Sequence, residues 1–502
     1  MAEQLDQQNT AVTGAQHYVW WQSFTAGLTG TLTKISVYVF YASEGTAKIY
    51  TGEGAGGDLL DSAAYDFDDF AGWVNITFST PAAVTSGQQY TMYFDDPWLA
   101  GLNTTYTAEA NPYANGRCDV GALDDIAFKT YVTTDRYWVG GTGDWSDDTN
   151  HWAAVSGGSP NTGNLPSEVD SVFIDEESGF GEGGTITIDE EPSFDDFTSS
   201  SGDTYTIDGT EAAVNINIYG SLALEAGITF TNIATINFSA TTTGKTINTA
   251  GLTLGAVLNF GATGGGWTLL NHLTTTSGFA FEYGRLFDAD IYNVTANDFY
   301  FNGDPALTCE VAMGSGTWTA TGADVDSTSG NKIWFVEDDD ITITCETSTV
   351  KFTDASSNAK TFVGSAEVGH IYNNLWLTGA GTGSFIIVGA NTFNDIKVDT
   401  PPHTVKFTES TTTTVTTFTV SGTDGKLITI DSVNGATQHI LSKSSGTVDC
   451  DYLDISNSNA AGGATWNAGL HSLDTANNDG WIFAPTNVVK DIIQPGIIAF
   501  PR

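Results

Sequence analysis

Thr349-Val350-Lys351-Phe352-Thr353 and Thr404-Val405-Lys406-Phe407-Thr408 spell one pentapeptide, TVKFT, twice within a long run of short apolar-polar alternations. No helical periodicity interrupts that run. Period two puts Val350, Phe352, Val405 and Phe407 on the inward face of a strand and turns Lys351 and Lys406 outward. Between the copies, HIYNNLWL (His370 to Leu377) and TFNDIKV (Thr392 to Val398) share an aromatic-Asn-polar-aliphatic core offset by 21 positions. Self-similarity of this kind marks stacked β units. The 55-residue offset of the TVKFT copies fits roughly three coils of about 18 residues, stacked at about 4.8 Å.

Working toward the N-terminus, the same texture begins near Thr185. Ile186-Thr187-Ile188, Tyr205-Thr206-Ile207, Val214 to Ile218, Leu222-Ala223-Leu224, Ile233 to Phe238 and Val257 to Phe260 are short runs separated by Gly, Asn, Thr or Ala corners. Such runs fit a parallel β-helix, in which each strand stacks on its counterpart one coil later. With coils of about 20 residues, residues 183–400 would build a shaft roughly 50 Å long at the same spacing. Residues 401–484 keep the strand signals as a continuation or a separate β module and close on Trp481-Ile482-Phe483.

Residues 1–134 read differently. Ile35 to Val39, Ala47 to Tyr50, Trp73 to Phe78 and Tyr90 to Phe94 alternate strictly and are joined by turn-rich connectors, the pattern of half-buried antiparallel strands in a sandwich. The segments QSFTAGLTGTLTKISVYV, KIYTGEGAGGDLL and GWVNITFSTPAAVTSGQQYTMYF resemble the jelly-roll modules of bacterial and phage surface proteins. That resemblance implies a jelly-roll fold that binds carbohydrate or serves as a spacer. Residues 135–182 are dense in tryptophan, and RYWVGGTGDW followed by HW is similar to segments that precede β-helical regions in such proteins. A cap there answers a physical need, because the first rung of a stack otherwise exposes apolar surface and unpaired strand edges. The expected fold is therefore all-β: a jelly-roll sandwich, a cap, a single-chain parallel β-helix and a C-terminal β module.

Composition narrows the function classes. Lys plus Arg total 16 against 60 Asp plus Glu, a formal charge of −44 that repels phosphate backbones and anionic headgroups. Nucleic acid is excluded as an expected partner. The N-terminus lacks the basic start and apolar segment of a secretory signal, and every apolar stretch is too short to span a bilayer. Synthesis and assembly in a cytoplasm without membrane insertion are expected. Cys118, Cys309, Cys345 and Cys450 form no CxxC pair and read as buried thiols, with Cys309 and Cys345, both in TCE, at equivalent strand positions.

The search for chemistry finds no GxSxG, HExxH, P-loop or dinucleotide fingerprint. No catalytic residue is assigned. Asp288 and Asp290 would share one strand face, and Asp338-Asp339-Asp340 precede a strand, but in a chain this acidic such pairs read as solvated surface. His151 reads as a packed histidine of the cap. Asp144, Asp147 and Asp148 offer three carboxylates within five residues, a candidate calcium loop that lacks the full EF-hand pattern. No other cofactor is expected. Trp20, Trp21, Trp73 and Trp98 are the candidate glycan-binding residues, since indole faces stack on pyranose rings. Trp20 and Trp21 are adjacent, so one should enter the core and the other face solvent or an interface. In the tail, residues 485–502, prolines bracket apolar runs carrying Ile492, Ile493, Ile497, Ile498 and Phe500, which need a partner surface and are candidate intersubunit contacts.

Three function classes remain. The favoured one is a structural virion protein of a bacteriophage, a tail or head fibre or spike, assembled in the host cytoplasm and extracellular when mature. The resemblance implies other virion structural proteins and a host cell-surface glycan as partners, and a homo-oligomer, with trimers common. The alternatives are a polysaccharide depolymerase on the same β-helix and a bacterial surface adhesin or filament subunit.

Overall fold

A computed structural model of the chain describes residues 3–11, 19–39, 43–67, 72–95, 113–119, 125–210, 214–284, 286–326, 332–337, 340–365, 370–379 and 381–484. The chain divides into two compact units, Met1–Ala256 and Val257–Arg502. Among the described residues the only helical turns are two three-residue 3-10 turns, Glu176–Ser178 and Asp324–Asp326.

The first unit opens with eight strands: β1 (Gln4–Asn9), β2 (Trp21–Thr25), β3 (Gly30–Val39), β4 (Ser43–Thr51), β5 (Leu59–Phe67), β6 (Gly72–Val84), β7 (Gln89–Phe94) and β8 (Phe128–Thr133). They form two antiparallel sheets in the orders β1-β8-β3-β6 and β2-β7-β4-β5, the interleaving of a jelly roll. Alternation drives Ile35, Val37, Ile49, Ile76, Met92 and Phe94 into the shared core. Each side chain closed off in this way contributes about 1.5–3 kcal/mol. Polar groups that enter the core are partnered: Gln22 Nε2 donates to Asp125 Oδ1 at 2.7 Å, and Gln22 Oε1 accepts from the Ile126 amide at 2.9 Å.

The same unit continues into a parallel β-solenoid. Val172, Phe197, Leu222 and Ile247 stand in register at intervals of 25 residues, all buried. A second wall stacks Ile186 on Ile207 and Phe230, and a third stacks Phe194 on Ile218 and Phe238. The tryptophan-rich stretch closes the start of the stack. Trp138, Trp145 and Trp152 are buried, with Trp138 and Trp152 edge to face at 5.1 Å and Trp145 and Trp152 at 4.7 Å. Trp152–Ala153 runs antiparallel to Asp135–Trp138, whereas the rungs that follow are parallel. That reversed pair occupies an edge that would otherwise be open.

The second unit is also a parallel β-solenoid. One wall carries the inward column Leu258, Phe279, Phe299, Trp334, Phe362, Ile387 and Phe407. Another carries Leu273, Val294, Trp318, Val350, Leu375, Ile396 and Phe418. The 21-residue offset of the two related segments is one coil, since Tyr372 lies against Phe393 and Leu375 against Ile396 in neighbouring rungs.

Two expectations change. The TVKFT copies belong to different walls: Thr349–Phe352 sits in the second of these columns, whereas the other copy falls in His403–Phe407, within the first. Their separation is therefore not a whole number of coils. Coil length is also uneven, 20 residues from Phe279 to Phe299 but 35 from Phe299 to Trp334, because corners absorb insertions that the ladder cannot. The inside-outside pattern itself holds, with Val350, Phe352, Val405 and Phe407 at 2% exposure or less. Both lysines are half-buried on the outer surface. Lys351 Nζ lies 4.0 Å above the ring of Trp376, and Lys397 Nζ lies 4.1 Å from it.

Candidate glycan-binding face

On the outer surface of the sheet β2-β7-β4-β5, antiparallel register brings Trp21 opposite Tyr93 and Tyr93 opposite Lys48. Tyr93 is the centre of an aromatic group. Trp20 stacks on it at 6.2 Å, and Tyr50 meets it edge-on at 6.1 Å. Charged pairs border the group: Lys48 with Asp95 at 3.4 Å, and Arg117 with Glu53 at 2.5 Å, the Arg117 guanidinium also lying 5.3 Å from the Trp21 ring. The hydrogen bond from Thr46 and the charge of Lys48 outweigh desolvation and hold the Asp95 carboxyl below its usual range. An aromatic surface edged by fixed donors and acceptors can stack a sugar ring and orient its hydroxyls.

The four candidate tryptophans do not form one surface. Trp20 is 38% exposed and Trp21 is half-buried. Neither enters the core, contrary to the expectation for adjacent strand residues, because β2 begins at Trp21 and the core position falls to Val19. Trp73 lies on the opposite sheet, edge-on to Tyr38 at 5.7 Å, with Lys129 Nζ 4.5 Å from its ring. Trp98 lies outside the described residues, as do Ile492, Ile493, Ile497, Ile498 and Phe500.

The candidate calcium loop uses its carboxylates internally. Asp147 accepts from Thr149 at 2.6 Å and Asn150 at 2.8 Å, which lowers its pKa, and Asp148 accepts from the Gly163 amide at 2.6 Å. Asp144 is exposed. Among the described residues no group of three or more His, Cys, Asp or Glu is placed to hold a metal ion. Asp288 and Asp290 do not share a strand face, since the strand ends at Asp288 and Asp290 occupies a left-handed corner (φ 49°) whose amide donates to Asp288. Asp338 and Asp339 lie outside the described residues, and Asp340 is exposed.

His151 is packed, its ring stacked on Trp138 at 4.6 Å and Nδ1 2.8 Å from the Val139 carbonyl. All four cysteines are buried. Cys309 and Cys345 are not equivalent: Cys309 pairs with Ile341, while Cys345 follows that strand and approaches Met313 at 3.6 Å. Burial pushes the Cys345 and Cys450 thiols up to about 12, so neither is a nucleophile near neutrality.

His439 is fully buried, stacked on Phe407 at 4.7 Å, and neither ring nitrogen has a hydrogen-bond partner among the described residues. Desolvation lowers its pKa to about 4 against the opposing pull of Asp431. The folded state thus holds the neutral ring, and the unfolded chain binds the extra proton. The associated stability is complete above about pH 6.5 and is lost as pH falls toward 4, on the order of 3 kcal/mol. His439→Leu is expected to flatten that loss. Urea midpoints at pH 7 and pH 4.5 measure it, and an unchanged acid sensitivity in the variant contradicts the assignment.

Together these features define an all-β protein that joins a jelly-roll sandwich to a parallel β-solenoid and presents an aromatic face on the sandwich. None of the described helical turns is long and apolar enough to cross a membrane. No protein-family profile and no curated protein matches the chain. Among solved structures, the chain is similar to the catalytic unit of a thermostable GH87 α-1,3-glucanase from Streptomyces thermodiastaticus strain HF3-3, at 11% identity and a TM-score of 0.17, over 92% of this chain and 89% of that one.

Proposed function

We propose that the chain is an attachment protein that binds cell-surface glycan, carried as a bacteriophage appendage in contact with other virion proteins and assembled as a trimer. The observation that carries the binding role is the face of Trp20, Trp21, Tyr50 and Tyr93, edged by Lys48, Asp95, Glu53 and Arg117. A stacked β architecture resists bending, and several copies of a weak site acting at once convert low affinity into firm attachment. The appendage setting rests on the resemblance read from the jelly-roll and tryptophan-rich segments alone.

Binding of the full chain to immobilised host envelope polysaccharide tests the role. Trp20→Ala and Tyr93→Ala are each expected to weaken binding about tenfold or more, a loss of roughly 1–2 kcal/mol for one stacked aromatic. Trp73→Ala, on the other sheet, should leave it unchanged. Equal binding by all three variants removes the face from consideration. Gold-labelled antibody against the chain, applied to intact particles, tests the setting.

A further inference from the structure

In the second unit, the strands Phe279–Glu282, Phe299–Asn302 and Trp334–Val336 lie side by side in one wall. Their inward residues are closed aromatic core, so the chemistry lies outside. Register places Ala280, Tyr300 and Phe335 in one outward row, with Glu282 and Asn302 in the row beside it. Glu337 follows Val336 directly, and its amide bonds to the Phe301 carbonyl at 2.9 Å, so it continues the second row. Glu282 and Glu337 therefore stand two rungs apart with Asn302 between them, about 10 Å at the backbone for rungs of about 4.8 Å.

The surroundings of the two carboxyl groups differ. The Tyr300 hydroxyl donates to Glu337, which is exposed, whereas Glu282 is half-buried. Desolvation, and then the charge of Glu337, push the Glu282 carboxyl up. One carboxyl is thus biased to keep its proton and the other is held by a hydrogen-bond donor, the division of labour that general acid–base chemistry requires. The Tyr300 and Phe335 rings meet at 5.7 Å beside the pair, with Lys332 Nζ 3.7 Å from the Phe335 ring. Tyr283 is 39% exposed and accepts from Asn302 at 3.3 Å. An aromatic floor next to two carboxyl groups suits a pyranose chain.

We propose that this wall is a glycoside-hydrolysing site in which Glu282 protonates the departing glycosidic oxygen and Glu337 takes a proton from the water that attacks the anomeric carbon. The bond from the anomeric carbon to the leaving sugar breaks as its bond to water forms. One proton leaves Glu282 and one arrives at Glu337, and solvent exchange restores both without oxidant or cofactor. Glutamates whose backbones stand about 10 Å apart leave room for a water between their carboxyl groups, the arrangement that goes with inversion at the anomeric carbon. The substrate class is a neutral polysaccharide, since a chain of charge −44 repels polyuronates. Tyr300 is a positioning residue that acts through Glu337.

The test uses the full chain with dextran, xylan, a β-1,3-glucan and a galactomannan, counting new reducing ends and assigning the first-formed anomer by NMR. Reducing ends from at least one polymer, with an inverted anomer, are expected. Glu282→Gln and Glu337→Gln should each lower the rate about 10²–10⁴-fold with an unchanged circular dichroism spectrum. Tyr300→Phe should lower kcat with KM little changed, because Glu337 loses the hydroxyl that positions it. No release from any polymer, a retained anomer, or wild-type rates in either glutamine variant overturns the proposal. It does not depend on attachment through the sandwich: Glu282→Gln should abolish cleavage while the full chain still binds immobilised polysaccharide, so loss of cleavage and loss of binding are read separately.

Discussion

Trp334→Ala is expected to lower the stability of the second unit by about 3–5 kcal/mol, the usual cost of truncating a buried tryptophan. The indole is fully enclosed and touches rings on several rungs: Phe299 at 5.0 Å, Phe301 at 5.1 Å, Phe362 at 6.0 Å, Tyr372 at 6.1 Å and Trp318 at 6.2 Å. Its Nε1 also donates to the Tyr372 hydroxyl at 3.3 Å, which in turn donates to the Gly364 carbonyl at 3.0 Å. Alanine removes ring and donor together, and a stacked backbone has little freedom to collapse into the space. Urea denaturation followed by tryptophan fluorescence and circular dichroism measures the change. A shift below about 1 kcal/mol would mean that the aromatic column is not what holds these rungs together, since that is less than burying a single such side chain contributes.

Arg136→Met is expected to cost the first unit about 3–5 kcal/mol, the penalty for stranding a buried charge. Arg136 sits where the sandwich hands over to the solenoid. It is 7% exposed, pairs with the 3% exposed Asp170 at 3.2 Å, and donates to the carbonyls of Asp135 at 3.0 Å and Thr29 at 3.5 Å. Burial draws the guanidinium below its ordinary range, and burial pushes the neighbouring Asp135 carboxyl up. Removing the cation leaves the buried carboxyl groups of Asp135 and Asp170 without the charge that faces them. Arg136→Met with Asp170→Asn should recover much of the loss, because the double variant leaves one fewer charge unpaired. Thermal unfolding of the single and double variants checks this; equal losses in both would place the cost in packing.

Period-two alternation made the strand content, the inward valines and phenylalanines and the sandwich legible before any coordinates, because which side of a strand faces the core is a local property. Which wall a strand joins is not local. It depends on how many residues each corner consumes, and the 35-residue coil between Phe299 and Trp334 shows how far that number departs from a fixed repeat. The candidate face divides in the same way. Trp20 and Trp21 stood out by residue type, but Tyr93 and Tyr50 join them only through the pairing of β2 with β7 and β7 with β4. Trp73 carried an identical residue signal and ended on the other sheet. Glu282 and Glu337 gave no sign at all, since only stacking brings them to one side of the same wall, two rungs apart.

Because one pentapeptide serves on two different walls, the strand TVKFT carries no address. Its placement is written in the lengths of the bends on either side. Recombination that copies a strand with its flanking bends could therefore relocate a surface pattern such as Lys351 beside Trp376 to another side of the solenoid with the interior sequence unchanged. Outer faces can then diversify independently of the hydrophobic columns behind them, and a new binding surface can arise by changing the length of a bend rather than the identity of a core residue.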